Sequence, residues 1–166
     1  LRETGDIRFW ELIPSRSEKI NGYSVSTNAQ GMRDKEYAVE KAADAYRIAV
    51  LGSSHVMGWG VNDGETFEAI IEDKLDRARP DGKRLEIMNF GVGGYSPICQ
   101  LGVMRDKALP MSPDAIYYIA HGVDGVLAIL TPQAMTDPTQ AARTVIDIAR
   151  QSDKPLVTCW MGEEQV

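Results

Sequence analysis

An α/β sandwich with a mostly parallel central sheet is the fold class this sequence predicts, and three observations predict it. Apolar runs at 47–51, 85–90 and 115–120 each lead into a glycine-containing turn, as buried strands do. Between them lie stretches whose apolar residues recur at helical spacing. Ahead of them, Asn21-Gly22 separates Glu18-Lys-Ile20 from the alternating Tyr23-Ser-Val25-Ser-Thr27, the pattern of a two-residue β-hairpin turn. The expected architecture is three-layered and flavodoxin-like, with an N-terminal hairpin arm.

The arm, 1–45, contains no strand–helix unit. After the hairpin, Asn28-Ala-Gln-Gly31 reads as a second turn and 37–45 as a short charged linker, the whole arm packing on an edge or lid of the domain. Arg33-Asp34 could touch a substrate, but reads first as an exposed ion pair. The first core strand is 47–51. Asn62-Asp63-Gly64-Glu65-Thr66 then supplies a turn and helix caps. The next helix places Phe67, Ile70, Ile71, Leu75 and Ala78 on one apolar face, expected to be buried, and Pro80-Asp81-Gly82 ends it. Strand 85–90 runs into the Gly91–Gly94 turn, a helix covers 97–108, Pro110 and Pro113 bracket a turn, and strand 115–120 follows.

There the rhythm breaks. Five residues, His121-Gly-Val-Asp-Gly125, separate that strand from the apolar run 126–130. A parallel crossover needs about a dozen residues or more, so these runs cannot be adjacent parallel strands joined by a helix. Beyond, Asp137 caps a helix with Pro138 at its first position, Ala142, Val145, Ile146 and Ala149 form its buried face, and 156–160 is a last strand. Three segments result: the arm 1–45, a core 46–122 and a C-terminal segment 123–166.

Composition excludes several function classes. The 24 acidic against 18 basic residues give net −6, and no basic face offers itself to nucleic acid or an anionic membrane. No apolar run reaches the roughly 18–20 residues of a membrane span. The chain opens on Leu1 with no leader pattern, so its compartment is not legible. Cys99 and Cys159 lack ligand spacing and read as separate buried thiols. No cofactor is expected: Gly91-Val-Gly93-Gly94-Tyr-Ser96 fails the dinucleotide pattern at Ser96.

The chemistry concentrates in Gly52-Ser53-Ser54, followed by Gly58-Trp-Gly60. A buried parallel strand ending in glycine and two hydroxyls delivers them to the carboxyl edge of the sheet, where open α/β folds bind ligands. A serine on a sharp strand-to-helix turn is exposed, oriented and near backbone N–H groups. The simpler role for Ser53 and Ser54 is to cap the following helix. His55, next to the serine, points away from it. Trp59 and Tyr95 either floor a pocket or merely pack.

Gly52-Ser53-Ser54 with Gly58-Trp-Gly60-Val61, and Asn89-Phe-Gly91-Val-Gly93-Gly94-Tyr-Ser96, resemble the first two blocks of the SGNH (GDSL-type) ester hydrolases, and the lead-in Asn21-Gly-Tyr…Asn28-Ala-Gln-Gly31-Met-Arg33-Asp34 is similar to theirs. The resemblance covers about 10–122. It implies a lipase-like hydrolase acting on a small-molecule ester, with Ser54 as nucleophile and the Gly94 N–H in the oxyanion hole. Where the family has Asp before the nucleophile, this chain has Ser53. Its third block supplies an asparagine from a G-x-N-D turn, where Val123 stands here, and its base comes from a late D-x-x-H motif that this chain lacks. His121, expected to end the strand beside the first, is the remaining candidate base. Residues 123–166, through Thr131-Pro-Gln-Ala-Met-Thr-Asp-Pro138 and Lys154-Pro-Leu-Val-Thr-Cys-Trp-Met-Gly162, resemble a flavodoxin-like ligase domain of ADP-forming acyl-CoA synthetases, which implies a composite chain joined near Gly122. The alternative to an impaired hydrolase is a non-catalytic α/β scaffold or interaction module, or a fragment related to an ADP-forming acyl-CoA synthetase.

Overall fold

The computed structural model describes residues 1–78, 84–120, 126–130, 143, 146, 150 and 156–160. Two short strands, β1 (Arg2–Glu3) and β2 (Trp10–Glu11), pair antiparallel at the start of the arm. Strands β3 (Ser17–Ile20) and β4 (Tyr23–Ser26) pair antiparallel across Asn21-Gly22, whose φ angles of 51° and 89° are the left-handed values such a tight turn demands. The core begins with β5 (Ala45–Gly52), then the short helix α1 (Ser54–Met57), α2 (Phe67–Ala78) and β6 (Arg84–Asn89). Helix α3 (Pro97–Val103) continues through one wide turn, Met104–Ala108, and a 3-10 turn, Leu109–Met111, to β7 (Ala115–Ile119). Strands β8 (Val126–Leu130) and β9 (Leu156–Trp160) follow, and Arg143, Ile146 and Arg150 between them are helical.

The five core strands make one sheet in the order β6-β5-β7-β8-β9. Strand β5 is central and parallel to both β6 and β7, so three strands form a parallel block. Strands β7 and β8 pair antiparallel and β8 and β9 parallel, so the sheet is mixed. The five-residue spacer is enough for a reversal and too short for a crossover.

Alternation sorts side chains onto the two faces. Ala49, Leu51, Met88, Phe90 and Ile116 face α3, whose Cys99 and Val103 close the main core. Leu12, Met32 and Tyr37 of the arm belong to that same core, so the arm is built into the domain. On the opposite face Val50, Leu85 and Ile87 pack with Val56 of α1, while Tyr117 and Ile119 stay 42% and 40% exposed. The side chain of Cys159 lies outside the described residues. No helix among the described residues is long and apolar enough to cross a membrane.

Helix α2 corrects the sequence expectation. Its apolar row is outward, with Phe67, Ile70, Ile71 and Leu75 between 38% and 48% exposed. The inward row is acidic. Glu68 is fully buried against Asn89, Glu72 accepts the Ile87 N–H at 2.6 Å and Asp76 accepts the Leu85 N–H at 2.9 Å. Among the described strands β6 is the sheet edge, and its outward N–H groups need acceptors that no further described strand supplies. Carboxylates one helical turn apart fit donors two strand residues apart, and that match sets which face of α2 turns in. Ile146, assigned to a buried helix face, is likewise 48% exposed.

A second polar exception sits at the amino end of β5. Arg47 is fully buried and ion-pairs with Glu86, its partner in register on β6, at 2.5 Å. Its other nitrogens donate to the carbonyls of Ala38, Val39 and Met111, tying arm, sheet and the turn before β7 together. A buried guanidinium persists only when its donors are met this completely.

Candidate active site

Strand β5 stops at Gly52 because the chain turns into α1 within two residues. A Cβ on Gly52 would lie 2.3 Å from Val56 Cγ2 and 2.9 Å from the Ile119 carbonyl, so only glycine fits this corner. Ser53 is the N-cap but makes no side-chain capping bond, and α1 ends at Gly58 with φ 80°. Ser54 is thus the first helical residue past the carboxyl end of the central strand, half-buried, and its hydroxyl has no hydrogen-bond partner among the described residues. His55 is exposed.

The second glycine turn meets the first. Phe90 N–H donates to the Val50 carbonyl at 2.9 Å and Val92 N–H to the Gly52 carbonyl at 3.2 Å, carrying the strand pairing into the turn. A Cβ on Gly91 would lie 2.3 Å from the Met57 nitrogen and 2.6 Å from the Val56 carbonyl carbon, so the two turns touch backbone to backbone. Gly94 has φ 78°, and Trp10 donates its indole N–H to the neighbouring Gly93 carbonyl at 3.2 Å. Tyr95 is buried, donates to the Trp10 carbonyl, and has its phenol pushed up to about 12 by burial; it packs, whereas Trp59 is 58% exposed and lines a groove.

Three residues to which the sequence assigned no role in the site hold these turns in place. Asn89, fully buried, donates its amide to the Val56 carbonyl at 2.7 Å and to Glu68 at 2.5 Å, and accepts the Gly91 N–H at 2.8 Å. Its place inside an apolar strand run was the available signal. Arg33 is 3% exposed and not the expected surface ion pair. It donates to the carbonyls of Met57, Gly58 and Val61 behind α1 and to that of Ser24 on β4, with Asp63 Oδ1 at 3.4 Å. Asp34 accepts the Asn89 N–H at 2.8 Å, and burial pushes its carboxyl up to about 7 against the lowering effect of its bonds from Asn89, Lys35 and Tyr37.

His121, the candidate base, lies outside the described residues, as do Gly122 and Val123. Strand β7 ends with Ile119 in register with Gly52, so its carboxyl end reaches the edge where Ser53 emerges. A groove of about 690 Å³ beside α2 is lined by Asp34, Asp63, Glu72, Asp73 and Asp76, but no three His, Cys, Asp or Glu among the described residues are grouped to hold a metal. Fold and site together define a mixed α/β protein with a serine at the strand-to-helix corner of its central strand. No protein-family model matches this chain, and no curated protein matches it.

Proposed function

We propose that the chain carries an SGNH-type ester-hydrolase core in which Ser54 attacks carboxylic esters through an acyl-serine intermediate. The observation that supports this most is the backbone contact of the Gly91–Gly94 turn with α1, next to a serine at the carboxyl end of the central parallel strand. In this reading the Ser54 Oγ proton passes to the base as Oγ bonds the acyl carbon. The backbone N–H groups of Ser54 and Gly94 stabilise the oxyanion. The tetrahedral intermediate then collapses, its C–O bond breaks and the alcohol leaves with the proton. Water repeats the sequence to free the acid and restore Ser54.

His121 is the base. Turnover is low, because the donor amide absent at Val123 is worth about 100–1,000-fold. A base outside its native D-x-x-H setting forfeits part of the further ~100–10,000-fold that general-base catalysis contributes. The domain is a three-layer, flavodoxin-like sandwich with core 46–122, and 123–166 is a segment related to ADP-forming acyl-CoA synthetases. The antiparallel reversal between β7 and β8 supports a junction near Gly122, since it falls where the parallel winding stops.

The competing reading is a non-catalytic scaffold, favoured by the unpartnered Ser54 hydroxyl among the described residues. Hydrolysis of p-nitrophenyl acetate by the parent, Ser54→Ala and His121→Ala from pH 5 to 8 separates the two. Parent activity is expected to rise through the imidazole range of about 6–7 and to vanish in both variants. Equal rates in all three proteins mean that Ser54 does no chemistry.

A further inference from the structure

Between the arm and the Ser54 loop runs a groove of about 390 Å³, at the small end of the range of ligand sites. Leu12, Ile20 and Val25 form its arm side, and Met57, Trp59 and Gly93 form its core side. The core wall is continuous with the candidate site. Met57 is the last residue of the helix that Ser54 begins, Trp59 N–H donates to the Ser54 carbonyl at 2.9 Å, and Gly93 precedes Gly94. The two charged side chains that line the groove, Arg16 and Glu18, are exposed and pair with each other at 2.5 Å, so neither side-chain charge is left without a counter-charge. Thr27, also on the lining, donates its hydroxyl to the Ile13 carbonyl at 2.6 Å. The side-chain surface offered is therefore largely apolar, with its two side-chain charges paired to each other.

We infer that this groove binds the straight acyl chain of a medium-length fatty ester, laid along β4 with its carbonyl toward Ser54. The inference rests on the ester-hydrolase reading for the direction of the chain, while the groove's affinity for an alkyl chain does not depend on the reaction. Acetyl esters then leave the groove empty, and hexanoyl and octanoyl esters fill it. The arm becomes a specificity element, because most of the residues that line the groove belong to it.

The test is calorimetric titration of Ser54→Ala with methyl butanoate, hexanoate and octanoate, set beside the parent's rates on the matching p-nitrophenyl esters. Affinity is expected to rise by up to about fourfold for each added methylene, the value for a fully buried CH2. Val25→Trp, which fills the groove, should remove that rise. Trp59→Ala, at an exposed position that folding does not depend on, should weaken octanoate binding several-fold without changing far-UV circular dichroism. Flat affinity across the series, or an unchanged series in both variants, overturns the groove. Length-dependent binding with no hydrolysis by the parent leaves the groove standing and removes the hydrolase reading. Hydrolysis without length-dependent binding does the reverse.

Discussion

Asn89 interrupts an apolar run on β6, and its amide is what lets two glycine turns share one position. Both amide atoms are committed, to α1, to Gly91 and to Glu68, whose second oxygen has no hydrogen-bond partner among the described residues. Asn89→Leu removes the one hydrogen bond that the buried Glu68 carboxylate accepts among the described residues. Stability should fall by about 3–5 kcal/mol, as when one partner of a buried polar pair is deleted. The readout is a lowered urea midpoint at unchanged m-value. Asp34, which holds the Asn89 N–H, makes a different prediction. Its folded carboxyl titrates at about 7 against an ordinary 3.8, so between those values the folded state holds more protons than the unfolded one. Stability from this group is fully present below about pH 4 and is lost as pH rises through about 7, on the order of a few kcal/mol in all. Asp34→Asn should flatten the curve of denaturation midpoint against pH between 5 and 8. A parent curve that climbs across that window, matched by the variant, would show that Asp34 titrates normally.

At the scale of an element, α2 shows amphipathicity overruled. Its apolar stripe would bury about as much surface as any surface helix, yet the acidic row lies against β6. The deciding magnitude is the cost of an unpaired edge donor, about 1–3 kcal/mol each, against the smaller loss from leaving a side chain half-covered. Ile71→Lys and Leu75→Lys should therefore each change stability by no more than about 0.5–1 kcal/mol, measured as a thermal midpoint. A buried stripe would make either change cost several kcal/mol. Glycine corners are the other element-scale lesson. Gly52 and Gly91 are required by close approach rather than by positive φ, and a motif records that as two fixed letters.

For the whole molecule, the legible features were those that short stretches determine. The three apolar runs became β5, β6 and β7 within two residues of their expected ends, because a strand buried on both faces is nearly continuous in apolar residues. The break after β7 was legible too, because chain length alone forbids a crossover in five residues. What stayed hidden depends on partners distant in sequence. Arg33 reaches carbonyls 24 to 28 residues away, and Asp34 reaches Asn89 across 55. Nothing in Arg33-Asp34 itself distinguishes a buried cage from an exposed pair. By itself the sequence determined the strands, the glycine turns and the position of Ser54 at the end of the first core strand, since hydrophobic spacing and backbone sterics act between near neighbours. Only the tertiary structure decided that the arm enters the core, that α2 turns its carboxylates inward, and that Asn89, Arg33 and Asp34 hold the candidate site. Burial and hydrogen-bond satisfaction are settled among all the groups that meet in space, and those meetings exist only once the chain has folded.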